Sequence, residues 1–435
     1  RSTLFPYTTL FRSSTDIIDG IWIAGLGQAA IAGIGFVTPI FMILNGVSVG
    51  LGSGATSSIS RFVGAKNQQK ASQSAEHSLL IILIASIILT IVLLISQKTL
   101  LISYGATGQA LDEALNYATP LFLGLIGFMF ANGASGILRG EGDMKRAMYA
   151  VIVSVILNAI LDPIFIYVLG FGSAGASLAT VFSSVSSACV ILYWILIKKD
   201  TYIDVKLKKF KWDSNIVKDI LKVGIPASID MFVMSIAMSM YLSFIATIGG
   251  EYGIAAFSSG NRLYLFAIMP LTAIGSAVTA VSGSAYGAKN GEYISRAHIF
   301  GSKFGILFGS AVTILLVVFA PQLSLLFAYT SDTAALVPGI TQYLRIACLC
   351  LPFTGAGMVS SFLYQGLGKG FMSLSWTIIR EVIFTVSLTY LFGIIIGWGL
   401  IGIWSGIALG RTLASVLNFS TRSEERRVGK ECRSR

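Results

Sequence analysis

Charge is scarce in this chain. Only 12% of its 435 residues are Asp, Glu, Lys or Arg, about half the share usual in a soluble protein. So few charges cannot cover a water-exposed surface of this size, which excludes a soluble globular domain. Histidine occurs twice and cysteine four times, with no CxxC pair and no metal-ligand spacing. Cys189, Cys348 and Cys350 sit inside apolar stretches, and the expectation is that they are buried, inert thiols. No Walker A loop is present, so direct drive by ATP bound to this chain is excluded, and no HExxH, GxSxG or Cys/His set occurs in a plausible context. The reading is therefore not an enzyme, and no cofactor is expected. The formal charge of +11 invites a nucleic-acid partner. A basic face interleaved with aromatics is missing, however, so nucleic acid is not expected as a partner.

Two terminal strings stand apart from the rest. Residues 1–13 (RSTLFPYTTLFRS) and 422–434 (RSEERRVGKECRS) can be encoded by reverse-complementary codons, and they resemble a translated sequencing adapter. The head 1–13 and the tail 422–435 are set aside from fold reasoning as one sets aside a cloning scar. Dropping the tail's six basic and three acidic residues and the head's two arginines lowers the net charge from +11 to +6, and removes Cys432. No cleavable signal peptide is visible, as expected of a protein inserted through its own helices.

What the chain has in abundance is apolar sequence, 54% of residues, and 46 glycines, the composition of helices packed closely within lipid. Apolar segments fall at about 14–25, 29–60, 74–97, 115–138, 147–170, 174–197, 220–248, 252–286, 299–320, 337–364, 371–395 and 400–420. Most reach the roughly 20 residues that span hydrocarbon. The first is shorter, because the foreign head replaces its beginning. An all-α polytopic membrane protein of twelve helices is expected, the first truncated.

Alternate gaps between segments hold 18 lysines and arginines, among them Arg61, Arg139, Lys198, Lys289 and Lys369, against Lys98 alone in the opposite gaps. By the positive-inside rule the first set is cytoplasmic, which predicts a multi-pass protein of the cell membrane.

The second half repeats the first. GAKN at 64–67 returns at 287–290, GEG at 140–142 answers GLG at 366–368, GFGSAG at 170–175 answers GWGLIG at 397–402, and LGQAAIA at 26–32 answers GGEYGIA at 249–255. The offsets drift by only four residues. An even number of helices per copy makes both copies enter from the same side, so two parallel-repeat six-helix lobes are predicted, with a substrate cavity between them. The expected division is an N-terminal lobe at 14–197, a basic cytoplasmic linker at 198–219 and a C-terminal lobe at 220–421.

Ionisable residues within spans are functional candidates by default, and depth separates them. Asp19 lies roughly 9 Å below the outer end of the first helix, Asp162 roughly 12 Å below that of the fifth, and Thr180 roughly 8 Å down the sixth. Asn158 is one turn from Asp162 on the same face. Pro163 lacks a donor and displaces the carbonyl of Ala159, leaving a backbone oxygen free. Hard oxygen donors of this kind suit Na⁺ or a proton, and two facing acids resist double ionisation. Either the set binds a coupling cation, or the acids only lock the bundle through hydrogen bonds.

Other charges give less. Arg380 and Glu381 are neighbours in the eleventh segment and are expected on different faces, pairing across helices. The role of Asp230 is open, Arg345 reads as a snorkelling residue, and His77 and His298 read as solvated surface near helix starts. Phe36, Met129 and Met234 lie on helices that could line a cavity for varied amphipathic cations, although ordinary packing explains most such residues.

The segments IDGIWIAGLG at 18–27, GLGSGATSSISRFVGAKN at 50–67, GILRGEGDMKRAM at 136–148 and LNAILDPIFIYVLGFG at 157–172 resemble the multidrug and toxic compound extrusion (MATE) family, particularly its archaeal-type branch. The similarity runs over essentially all of 14–421. It implies that Asp19, Asn158, Asp162 and Thr180 form an N-terminal-lobe cation site and that two lobes alternate in access. Drugs would bind in that lobe or between lobes, with Asn132 and Ser135 near the cavity floor. Matching acids for a second cation site in the C-terminal half are missing. The expected function is Na⁺- or H⁺-coupled export of small organic molecules by a chain working as a monomer in the lipid bilayer. A flippase for lipid-linked precursors, and a non-transporting receptor or scaffold, are the alternatives.

Overall fold

The computed structural model describes residues 22–23, 25–198, 200–206, 210–325 and 334–420. These are almost wholly helical, and no strand occurs among them. The chain divides into two compact units, Arg1–Ser228 and Ile229–Arg435.

The first unit contains α1 (Gln28–Gly64), α2 (Gln68–Ser103), α3 (Gly108–Leu123), α4 (Leu125–Glu141), α5 (Met144–Pro163) and α6 (Gly172–Leu192). A π turn at Ile164–Val168 extends α5 and another at Tyr193–Lys198 extends α6. Helices α3 and α4 make one span bent by 51°. The bend falls at Gly124, where a Cβ would stand 2.3 Å from Val181.

The boundary between units falls inside α7 (Ser214–Gly287). At 74 residues α7 would measure roughly 110 Å, far beyond the roughly 30 Å of a bilayer core. Gly250, with φ 52° and ψ −145°, breaks it into two spans, a backbone conformation that glycine adopts without Cβ strain.

The second unit continues with α8 (Gly291–Val318), α9 (Ala320–Leu325), α10 (Val337–Ala347), α11 (Leu351–Gly366), α12 (Gly370–Ile378), α13 (Ser387–Tyr390) and α14 (Gly399–Ser420). Helix α12 runs through π turns at Ile379–Val386 and Leu391–Ile395 on either side of α13. Taking Ala334–Gly366 and Gly370–Ile395 as one span each and α7 as two, eleven spans lie among the described residues. Trp22 and Ile23 are helical. Among the described residues the architecture is the all-helical, two-repeat arrangement that the sequence predicts.

The duplication reaches the backbone angles. Lys66 and Lys289, the third residues of the two GAKN strings, both have φ 55°. The asparagines that follow them cap the next helices, Asn67 accepting from the Lys70 amide at 3.0 Å and Asn290 from the Tyr293 amide at 3.0 Å. Such caps satisfy donors that a helix start leaves open. Gly27 and Gly250, Gly142 and Gly368, and the pairs Gly170/Gly172 and Gly397/Gly399 all have positive φ at matching repeat positions.

Each unit has its own core. In the first it runs through Leu44, Leu121, Phe122 and Met129. In the second it gathers about Trp404, which stacks on Phe257 at 5.8 Å and meets Tyr343 edge-on at 5.0 Å. Meanwhile Ile95, Val168 and Phe300 are 80, 77 and 74% exposed, a surface suited to hydrocarbon rather than water.

Two expectations are overturned here. Cys189 is exposed, whereas Cys348 and Cys350 are buried. On α6 the stripe of Ser173, Ser177, Ser184 and Ser187 is buried and Phe182 and Val185 are exposed. In lipid the apolar stripe turns outward, and Cys189 lies on it. Conversely, His77 and His298 are buried, at 0 and 3% exposure. Each is held by a hydrogen-bond acceptor or donor within reach, Gln73 O at 2.7 Å and Ser360 Oγ at 2.9 Å respectively, so neither is solvated surface.

Candidate functional site

The fifth span carries the polar centre of the first unit. Asp143 caps α5 by accepting from the Arg146 amide at 3.0 Å, and the helix then runs apolar to Asn158 and Asp162. These two are 2 and 1% exposed. One helical turn apart, they meet: the Asn158 Nδ2 donates to Asp162 Oδ1 at 3.4 Å. The Asn158 carbonyl oxygen is buried with no hydrogen-bond partner among the described residues. A buried polar atom of this kind is costly unless a ligand, an ion or water satisfies it.

Beyond Pro163 the helix widens into its π turn, where the Leu169 amide bonds the Ile164 carbonyl at 2.8 Å. Single π turns recur at functional positions. Helix α6 can approach this turn because Gly175 has no side chain; a Cβ there would stand 2.6 Å from the Phe165 carbonyl. Thr180 follows on α6, half-buried, its hydroxyl donating to the Ala176 carbonyl at 3.2 Å. Its own oxygen keeps lone pairs in reserve.

Asp19 lies outside the described residues. Three residues after it, the Trp22 carbonyl accepts from the Tyr167 hydroxyl at 2.5 Å, and the two rings pack edge-on at 6.0 Å. Trp22 is thereby tied to the π turn of the fifth span. Among the described residues no three His, Cys, Asp or Glu side chains converge as a metal site.

The residues expected to line a cavity differ in exposure. Met129 has no exposed surface and packs in the core, and Ser135 is buried. Asn132 is half-buried, its amide donating to the Phe128 carbonyl at 3.2 Å, and Phe36 packs half-buried against the same core. Met234, in the second unit, is 38% exposed.

Three features escaped the sequence. Glu113, on α3, accepts from the Ser173 hydroxyl at 2.5 Å; the predicted span began two residues too late to count it. Arg61 holds Asp219 through two bonds of 3.0 and 2.8 Å, a fork-on-carboxylate geometry that loop-charge counting cannot see.

The third is a charge cluster in the second unit. Glu381, 3% exposed, accepts from Arg380 Nε at 2.9 Å, from the Tyr241 hydroxyl at 3.0 Å and from Arg411 at 3.4 Å. The Arg411 guanidinium also lies 5.1 Å over the Tyr264 ring. Pairing across helices is thus present, but the expected separation of Arg380 from Glu381 is not. Both sit in the π turn Ile379–Val386, where the extra residue per turn changes the angle between neighbouring side chains. Asp230 is buried nearby, with the Thr377 hydroxyl and the Arg380 guanidinium as its neighbours. Two acids facing two arginines leave no excess negative charge there for a metal cation.

A duplicated, many-span helical protein with a carboxylate–amide pair sunk in one unit defines a class, the polytopic membrane transporters. Comparison with known proteins gives the family. The MatE pattern matches residues 7–164 and 226–391, and the chain belongs to the MATE family of membrane transporters, whose members move solutes rather than catalyse reactions. It is 27% identical to "Probable multidrug resistance protein NorM" of Thermotoga maritima over 92% of this chain and 86% of that one. It is 28% identical to "Probable multidrug resistance protein YoeA" of Bacillus subtilis over 71% of this chain and 68% of that one. Among solved structures it is similar to an outward-facing multidrug resistance MATE transporter at TM-score 0.96 and 38% identity, with 99% of this chain and 95% of the other covered.

Proposed function

We propose that this transporter is a cation-coupled antiporter that exports small organic molecules, typically cationic or amphipathic, while Na⁺ or H⁺ moves inward. The observation that carries the reading is Asp162, 1% exposed and in contact with Asn158 at 3.4 Å. A carboxylate sunk in a membrane span is costly and is retained where it does work. The proposed site adds Asp19, Thr180 and the Ala159 carbonyl to that pair, and the tie between Trp22 and Tyr167 supports bringing the first span to the fifth. Hard oxygen donors favour Na⁺ or a proton over soft metals.

One charge crossing about 100 mV supplies about 2.3 kcal/mol, enough for a roughly 50-fold substrate gradient at 1.4 kcal/mol per decade. Coupling requires that cation and substrate favour opposite conformations of an alternating-access cycle, since equal affinity for both shifts nothing. Asn132, Ser135 and Phe36 are the proposed contributions of the first unit to the substrate path. The basic gaps and the 198–219 linker are placed on the cytoplasmic side by their lysines and arginines, and the monomer is the proposed working unit.

The test is ethidium efflux from proteoliposomes under separately imposed Na⁺ and pH gradients. Asp162→Asn and Asp19→Asn should each abolish gradient-driven efflux, with yield and melting temperature kept. Full efflux in both variants overturns the site. A flippase would instead move a labelled lipid-linked precursor in the same vesicles, and a receptor would move neither.

A further inference from the structure

The sequence marks 198–219 only as a basic linker between the two repeats. It is a strap. Its backbone is hydrogen-bonded to side chains of the first unit at Tyr202, Ile203, Asp204, Lys206 and Asp213. Gln68 Nε2 donates to the Tyr202 carbonyl at 2.8 Å. The Ile203 amide donates to Glu141 at 3.4 Å, the Asp204 amide to the Ser72 hydroxyl at 3.0 Å and the Lys206 amide to Glu76 at 2.7 Å. Ile203 and Val205, 1 and 5% exposed, insert into the core beside Ala75, Ile137 and Ile195. Asp200 accepts from Arg146 at 2.7 Å and pairs with Lys198 at 3.0 Å.

The last fastening is of a different kind. The Asp213 amide donates to His77 Nε2 at 2.9 Å, while His77 Nδ1 lies 2.7 Å from the Gln73 carbonyl. A carbonyl can only accept, so Nδ1 carries the proton. Nε2 receives an N–H and so carries none. Both ring nitrogens are committed, and the docked strap therefore requires the neutral imidazole. Phe210 and Trp212 close over the ring at 4.8 and 5.7 Å, and His77 has no exposed surface.

We infer that His77 is a pH-sensitive pin that holds the end of the linker strap on the first unit and releases it when protonated. A proton on Nε2 would face the Asp213 N–H, donor against donor, on a ring with no exposed surface beneath Phe210 and Trp212. Buried donors without acceptors are costly, so the docked state excludes the protonated ring and the released state accepts it. Release therefore grows as pH falls.

The acidic groups on the elements packed around the pin each have a partner other than the imidazole ring. Glu76, next to it on α2, accepts from the Lys206 amide. The Asp213 carboxylate accepts from the Asn215 amide at 2.9 Å. Asp219 on α7 is held by Arg61 on α1. On the strap, Lys206 pairs with Asp204 at 2.7 Å, and Lys211 is exposed. At the far end Lys198 beside Asp200, with Arg146 behind it, holds the Asp200 carboxyl below the usual range. Because Asp213 immediately precedes α7 at Ser214, releasing the pin frees the start of that helix from α2.

The inference does not depend on which ion drives transport. Hydrogen exchange of the full chain in nanodiscs tests it, comparing protection factors corrected for intrinsic rates at pH 7.5 and 5.5. Protection at Asp213 should fall at least tenfold at the lower pH. Protection at Asp204, anchored on the Ser72 hydroxyl, should fall less than threefold, so the comparison holds within the wild-type protein. His77→Gln, whose side-chain oxygen can accept from the Asp213 amide without titrating, should keep Asp213 protection within threefold at both values. Equal protection of Asp213 at the two pH values in the wild type overturns the pin, as does a tenfold loss that persists in His77→Gln.

Discussion

Removing the Glu381 carboxylate is the most direct test of what the charge cluster in the second unit does. Glu381→Gln keeps size and most hydrogen-bonding capacity but removes the one negative charge that Arg380 and Arg411 share at 2.9 and 3.4 Å. Breaking a buried ion pair from one side costs about 3–5 kcal/mol, because the orphaned charge stays in a low-dielectric site. For a unit of 150–250 residues 1 kcal/mol shifts the melting temperature by about 2–4 °C, which gives a drop of roughly 6–20 °C. Arg411→Met leaves Glu381 with Arg380 and Tyr241 and costs less, about 1–3 kcal/mol. The double variant removes one charge of each sign and leaves Arg380 beside Asp230, so it should melt within about 4 °C of the wild type, a coupling that only contacting residues show. Intrinsic-fluorescence melting of the four proteins in one detergent measures all of this. If Glu381→Gln melts within about 2 °C of the wild type, or the double variant is as unstable as the sum of the singles, the cluster does not lock the second unit through neutralised charge.

Two further outcomes are expected. With Cys432→Ser as background, a membrane-permeant maleimide should label Cys189 and leave Cys348 and Cys350 unmodified until the protein is unfolded, as read by intact mass; prompt labelling of the pair would contradict their burial. Gly402→Ala places a Cβ about 2.4 Å from the Phe392 carbonyl oxygen. It should lower stability by about 1–3 kcal/mol through overpacking, seen as a lower melting temperature, whereas Gly27→Ala meets no atom within 4 Å and acts only through its positive φ.

Much of the architecture was legible because hydrocarbon imposes length. A span needs a run of apolar residues, and each gap needs polar or small ones, so the segments and their duplication could be read directly from GAKN, GEG and GFG. Those strings recur because they encode backbone angles: Lys66 and Lys289 take the same left-handed φ, and the asparagines behind them cap the same helix starts. Depth counting along one helix also placed Asn158 and Asp162 together, since one turn on a helix is fixed geometry.

Reading failed where local geometry departs from an α-helix or where contact joins distant segments. Arg380 and Glu381 were assigned to different faces by an ideal 100° step, whereas the π turn under them narrows that step and the long Arg380 side chain reaches the neighbouring carboxylate. His77 looked like surface because its helix start is polar, yet the covering Phe210 and Trp212 are more than 130 residues further along the chain. Cys189 looked buried because its neighbours are apolar, a rule that lipid inverts.

The sequence by itself determined the class of fold, the repeat and the one-turn spacing of Asn158 and Asp162, all consequences of periodicity and of the thickness of a membrane. Only the tertiary structure decided which charges neutralise one another, which face of α6 is turned outward and that the linker is fastened rather than free. Those depend on side chains meeting across the fold, and a one-dimensional pattern carries no distance between residues that are far apart in the chain.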